Sequence, residues 1–183
     1  FDLAIQNSKT SYQKLNSYLP KGTLPAALKS WGTMQLTGLV KGKIADLQSK
    51  NIVLKTQKGP QLLGDIQIKG LPDYKTAVFE MQLKKLLTHP DHWKGFVPDG
   101  LPAFIDDLGV MALKGTYTGS LTDFTADLLL QSELGQLRTN TTFNFTSDYA
   151  NAAYKGKIAL QQFDMGKVIG DSLLSTVTLS AEI

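Results

Sequence analysis

The stretch LPAALKSWGTMQLTGLVKGKIADL at Leu24–Leu47 returns 77 residues later as LPAFIDDLGVMALKGTYTGSLTDF at Leu101–Phe124. Nine of the 24 aligned positions are identical: Leu24/Leu101, Pro25/Pro102, Ala26/Ala103, Gly32/Gly109, Met34/Met111, Leu36/Leu113, Gly38/Gly115, Gly42/Gly119 and Asp46/Asp123. Replacements such as Leu28/Ile105, Ile44/Leu121 and Leu47/Phe124 keep their character. A repeated supersecondary unit stacks against its neighbour because it cannot bury its apolar side alone. The repeat therefore predicts two like units within one 183-residue body, the first over 10–87 and the second over 88–183.

Inside each copy the period is two. In GTMQLTGLVKGKI, Met34, Leu36, Gly38, Val40, Gly42 and Ile44 fall on one face, with Thr33, Gln35, Thr37, Lys41 and Lys43 on the other. Leu39 is the exception. The second copy sets Met111, Leu113, Tyr117 and Leu121 against Lys114, Thr116, Thr118 and Ser120. Alternation of this length specifies a strand with one buried face. The pattern recurs in NIVLKTQKG, QLLGDIQIKG, TAVFEMQLKKL, DFTADLLLQS, QLRTNTTFNFTSD, AAYKGKIALQQF and STVTLSAEI. Turn signals at Lys58–Pro60, Gly70–Asp73, Leu134–Gln136 and Ser147–Asn151 separate several of these runs. The expected fold is mainly β: long antiparallel strands with short helices, forming a curved groove or a sandwich-like sheet from two related repeats.

Helix is expected only ahead of the strand runs, near residues 10–19, 25–31, 88–94 and 102–108. Tyr12, Leu15, Tyr18 and Leu19 have helical spacing, Thr88 and Pro90 suit a helix start, and LPAALKSWG and LPAFIDDLG each place Pro early and Gly last. The shared glycines Gly38/Gly115 and Gly42/Gly119 lie on the apolar face, where they mark close backbone approach or bending.

Composition narrows the function. The net charge of +3 is spread along polar strand faces with one Arg, Arg138, unlike the clustered basic stripe of a nucleic-acid module. With no Cys, disulfides and thiolate metal sites are excluded. No run approaches 18 uninterrupted apolar residues, the length of a membrane-spanning helix. The chain opens on Phe1 without a signal-peptide pattern and reads as an internal piece of something longer.

Catalytic signatures are missing: no phosphate-binding glycine loop, nucleophile elbow or HExxH occurs. The pair His89 and His92, with Asp91 between, cannot converge three ligands from one turn, so a solvated helix start is expected and no metal. Asp106 and Asp107 are adjacent and point apart on a helix, and Asp46 and Asp123 sit where turns are expected. Asn140 and Asn144 stand in N-x-T triplets. Neither an enzyme nor a cofactor is expected.

The segment LPAFIDDLGVMALKGTYTGSLTDFTADLLLQSELGQLRTNTTFNF, continued by AAYKGKIALQQFDMGKVIG, resembles the TamB-like translocation and assembly module proteins of bacteroidete-type bacteria, in the AsmA-like superfamily. The likeness rests on the LP…LG lead-in, the GxYxGSxxDF strand, LGQLRTN and the segment ending in FDMG; it extends more loosely over Leu24–Leu87. It implies a taco-shaped β-groove in a cell-envelope protein of the periplasm, anchored in the inner membrane by an N-terminal helix outside this chain. It further implies phospholipid acyl chains as cargo and outer-membrane assembly proteins of the Omp85 type as partners. The candidate lipid-contacting face is Met34, Leu36, Val40, Ile44, Met111, Leu113, Tyr117 and Leu121. The residues alone also allow a β-sandwich binding module for a protein or glycan, with Trp31 and Trp93 as its aromatics, and last an outer-membrane barrel.

Overall fold

Alternating apolar and polar residues build strand after strand of a single sheet in the computed structural model, which describes residues 2–96, 103–145, 152–171, 173 and 175–183. The strands are β1 (Asp2–Thr10), β2 (Met34–Lys43), β3 (Asp46–Thr56), β4 (Gln61–Lys69), β5 (Val78–Thr88), β6 (Met111–Gly119), β7 (Asp123–Ser132), β8 (Gly135–Asn144), β9 (Ala153–Asp164) and β10 (Thr176–Glu182). Each pairs antiparallel with its sequence neighbours in the order β1 to β10, and the sheet is open rather than closed into a barrel. The described residues form no second sheet, so the sandwich alternative is not the observed architecture.

Among the described residues there are also three 3-10 helices, η1 (Ala26–Trp31), η2 (Pro90–His92) and η3 (Ala103–Leu108), and two short α-helices, α1 (Tyr12–Tyr18) and α2 (Met165–Ile169). All five join the same ends of the strands, following β1, β5 or β9 and preceding β2, β6 or β10. At the opposite ends, β2–β3, β4–β5 and β6–β7 are joined by turns. The Ser147–Asn151 turn and the Leu101–Pro102 lead-in lie outside the described residues.

The 77-residue offset holds in three dimensions. Both η1 and η3 end in a glycine at positive φ, Gly32 at 71° and Gly109 at 56°. Their amides donate to Lys29 and Asp106 carbonyls at 3.4 and 3.3 Å. Trp31 and Leu108, the last residues of the two helices, each accept an amide from the neighbouring hairpin, Lys58 N and Glu133 N, both at 3.1 Å. Gly38 and Gly115, at φ 147° and 131°, allow the next strand to approach: a Cβ on Gly115 would strike the Asp127 carbonyl. At such φ an L side chain is strained, so glycine holds both positions.

Two elements depart from expectation. Residues Asp2–Thr10 form strand β1, although DLAIQNSKT alternates poorly. The reason is a bulge between Ile5 and Ser8, which adds one residue and breaks the period. The helix α2 was not expected after β9. Its signal is local: the Asp164 side chain accepts Lys167 N at 3.1 Å, and Gly170 at φ 71° ends the helix.

Bulges recur where chain sense repeats. Extra residues lie in β1 (Ile5–Ser8), β3 (Ser49–Ile52), β5 (Leu83–Leu86) and β9, where Leu160–Phe163 faces Val177–Leu179. Three bulges contain a residue in the left-handed region: Asn7, Asn51 and Gln162 at φ 49°, 49° and 47°. In each, the freed amide is captured by a neighbouring strand's side chain. Asn7 N donates to Thr37 Oγ1 at 3.2 Å, Asn51 N to Asp65 Oδ1 at 2.6 Å and Gln162 N to Thr178 Oγ1 at 3.2 Å. Strain of the αL backbone is thereby offset by a satisfied donor.

Candidate functional site

Register turns alternation into a surface. Directly paired residues share a face, and the pairs Leu36–Leu54, Leu54–Leu62, Leu62–Leu86, Leu86–Leu113, Leu113–Leu130, Leu130–Leu137, Leu137–Leu160 and Leu160–Leu179 form one unbroken row from β2 to β10. At roughly 4.8 Å between strands, the row spans about 38 Å. Aliphatic and aromatic neighbours flank it, as in Val40–Ser49–Ile66–Met81–Tyr117–Ala126.

The face is covered unevenly. Over the second unit, η3 and α2 lie on it: Leu108, Met111, Leu130, Leu134 and Phe163 form a buried cluster, with Leu113, Leu137, Leu160, Met165 and Val168 packed against it. Over the first unit, among the described residues, Met34, Ile52 and Leu86 are buried while Leu36, Val40, Leu47, Leu54 and Leu62 are half-buried. A hollow of about 190 Å³ remains, lined by Leu36, Val40, Leu47, Ile52, Leu54 and Leu62 together with Ser49, Ile66 and Ile68. Three adjacent strands can enclose such a hollow only where the sheet is concave toward it.

The sequence candidates divide accordingly. Leu36 and Val40 line the open hollow. Met34 is buried at the helix end of β2, while Met111 and Leu113 belong to the packed cluster. Tyr117 stacks on Phe124 at 4.8 Å and donates its hydroxyl to the Ser120 carbonyl; burial pushes its phenol pKa upward. Ile44 and Leu121 are not strand residues. β2 ends at Lys43, which pairs with Asp46 across the two-residue turn holding Ile44, and β6 ends at Gly119. In both copies the alternation outruns the strand by one step because hairpin closure ends pairing first.

Residues that alternation alone did not nominate are Leu47, Ile52, Leu54, Leu62, Ile66 and Ile68. Their own strands carried the signal, but which strands remain uncovered depends on helix placement.

The far end of the second unit is aromatic. Phe124 meets Phe143 at 5.1 Å and Phe145 at 5.9 Å, beside Tyr117. On the opposite, polar face, Thr125 bonds Thr142 at 3.0 Å, Asn140 donates to Asp127 at 3.2 Å and Lys69 meets Glu80 at 2.8 Å. A second concavity of about 300 Å³ opens there between Gln48, Lys50, Asp65, Gln67, Glu80 and Gln82. A twisted sheet is saddle-shaped, so each face is concave along one diagonal.

The remaining sequence candidates are structural. His89 caps η2 by accepting Asp91 N at 3.3 Å, and His92 Nδ1 accepts His89 N at 3.1 Å. Burial holds the His92 imidazole below its usual pKa, with the nearby His89 adding to the effect. Trp31 is buried, donates Nε1–H to the His92 carbonyl at 3.0 Å and meets Trp93 edge-on at 5.9 Å, so this pair is no exposed loop platform. Lys94 bridges Asp91 and Asp106 at 2.6 and 3.1 Å, tying η2 to η3. Asp46 and Asp123 open β3 and β7 directly after turns. Among the described residues no helix is long and apolar enough to cross a membrane. No protein-family model, curated protein or solved structure matches the chain.

Proposed function

We propose that this chain is a non-catalytic segment of a cell-envelope bridge protein, a TamB-like one, whose apolar β-face carries phospholipid acyl chains through the periplasm between inner and outer membranes. The supporting observation is the open hollow of the first unit, continuous with the leucine row and, among the described residues, facing no second sheet. Each methylene withdrawn from water onto such a face gains about 0.8 kcal/mol, so a sixteen-carbon tail represents roughly 12 kcal/mol. Retention of that size requires no catalytic group and no specific headgroup contact. The resemblance adds that the parent protein is held in the inner membrane and works with outer-membrane assembly proteins of the Omp85 type.

Native mass spectrometry of the purified chain, with lipid extraction, tests the reading: phospholipid should co-purify. Leu36→Asp, in the open hollow, should stay folded and lose photo-crosslinking to lipid because water can reach the carboxylate. Leu113→Asp, at a half-buried position packed against the Leu108–Met111–Leu130 cluster, should instead lower the melting temperature, since the carboxylate gains no partner there. Unchanged crosslinking in a folded Leu36→Asp protein rejects the lipid path. A second reading, a binding module for a glycan or polar protein segment, draws on the polar-face concavity between Gln48 and Gln82. Glycan binding lost on Gln82→Ala, with no bound lipid, would favour it.

A further inference from the structure

The bulge in β5 sets two consecutive lysines on one face of the sheet. Leu83 and Leu86 pair with Gly115 and Leu113 and are both buried on the apolar side, so the extra residue leaves Lys84 and Lys85 together on the opposite side, facing Lys114 of β6. All three are exposed. A hollow of about 190 Å³ opens among them, with Ala112 and Leu129 in its wall. It adjoins a second of about 150 Å³ that shares Lys85 and is lined also by Val53, Leu63, Leu87 and Lys55. Lysines scattered along the chain become one group only through bulge and register.

No carboxylate lines either hollow. Among the described residues, lysine ion pairs are made by Lys41, Lys69, Lys94 and Lys167, and none by Lys55, Lys84, Lys85 or Lys114. The acids of this face on the adjacent strands, Asp65 and Asp127, lie two residues from Leu63 and Leu129 and are engaged by Asn51 N at 2.6 Å and by Asn140 at 3.2 Å. Lys84 is held by a neutral acceptor, its Nζ donating to Asn51 Oδ1 at 2.8 Å. Like charges opposed across a strand pair are destabilising, so the free protein carries a cost here that a bound anion would remove. The neighbouring apolar residues narrow the choice of anion. Val53, Leu87 and the 36% exposed Leu63 offer aliphatic surface beside the lysines, on a face that elsewhere carries Gln, Thr and acids.

We propose that this groove binds one molecule of a phosphate monoester that carries an aliphatic chain, with the phosphate among Lys84, Lys85 and Lys114 and the start of the chain along Leu63, Val53 and Leu87. A monoester brings about −1.5 to −2 charge at pH 7 and three acceptor oxygens, which answer a group of ammonium ions better than one carboxylate does. Two concave hollows seat a single molecule rather than a flat bilayer. The site lies on the face opposite the hollow of Leu36 and does not rest on the acyl path proposed there.

Dihexanoyl phosphatidic acid, kept below the concentration at which it forms micelles, should raise the melting temperature. In calorimetric titration it should bind about tenfold or more tightly than inorganic phosphate or dihexanoyl phosphatidylcholine. Lys85→Gln with Lys114→Gln should lower its affinity by about tenfold or more, yet raise the melting temperature of the free protein, because opposed charges are removed. A merely solvated lysine face would move neither. Leu63→Ser should weaken the lipid and spare phosphate, and Leu36→Asp, on the other face, should change neither. The proposal fails if phosphate or phosphatidylcholine binds as tightly as phosphatidic acid, or if the double lysine variant keeps full affinity. It also fails if Leu36→Asp abolishes binding, because the lipid would then occupy the first unit's hollow. Tighter binding of an oligoglutamate peptide would overturn it in favour of an acidic protein partner.

Discussion

Leu36 and Leu113, separated by 77 residues in the chain, stand on one level of one sheet, joined through the paired leucines 54, 62 and 86. The same residue in the same place of the repeat has nonetheless acquired two environments. Both are half-buried, but Leu36 lines an open hollow, whereas Leu113 packs against the cluster that Leu108 of η3 helps to form.

Position along the leucine row should set the cost of truncation. Leu86 is 8% exposed in the middle of the sheet and Leu179 is 42% exposed at its edge. Leu86→Ala is expected to cost about 2–4 kcal/mol by denaturant unfolding, and Leu179→Ala less than about 1 kcal/mol. Equal costs would mean that the row is buried uniformly.

Gly115 should be intolerant of any side chain. Its φ of 131° disfavours an L residue, and a Cβ would collide with the Asp127 carbonyl on the paired strand. Gly115→Ala is expected to destabilise by about 2–3 kcal/mol. Gly22, at φ 85° with open space around it, should lose only about 1 kcal/mol on the same change.

Trp31 links the helical end of the sheet through its bond to the His92 carbonyl and its edge contact with Trp93. Trp31→Phe retains a ring but leaves that carbonyl without the indole donor, and should cost about 1–2 kcal/mol. Trp31→Ala should cost about 3–5 kcal/mol. Thermal unfolding followed by Trp93 fluorescence reads both.

Acid should weaken the same region through His92. Burial, reinforced by His89 and opposed by Asp91, sets its folded pKa below the ordinary value of 6.5. The unfolded chain then binds the proton more readily, so this contribution is fully present above pH 6.5 and is lost as pH falls through the depressed folded value. Thr88, which bonds the ring at 3.1 Å, and His89 N, which donates to it, both favour the neutral form. Melting temperature should fall on acidification below 6.5, and His92→Asn should remove that part of the slope while keeping an acceptor for His89 N. An unchanged slope would show that His92 titrates as it does in the unfolded chain.

What the sequence determined is what a period can determine. Met34 to Lys43 and Met111 to Gly119 alternate, so their faces, their antiparallel hairpins and their equivalence across 77 residues follow from the order of residues alone. The glycine approaches at Gly38 and Gly115 were legible for the same reason, since a gap in an apolar face at matching positions marks crowding. Strand β1 was hidden because its bulge breaks the period that reveals a strand, and α2 because one turn of helix carries too few residues to show one. The tertiary structure alone decided which apolar residues remain open. Alternation assigns Leu36 and Leu113 to the same face, but coverage depends on where η3 and α2 settle, and that is fixed by contacts among Ile105, Leu108, Phe163 and Val168, which are distant in sequence. It also decided the leucine row, because register between strands is set by hairpin closure and bulges rather than by any one strand's pattern.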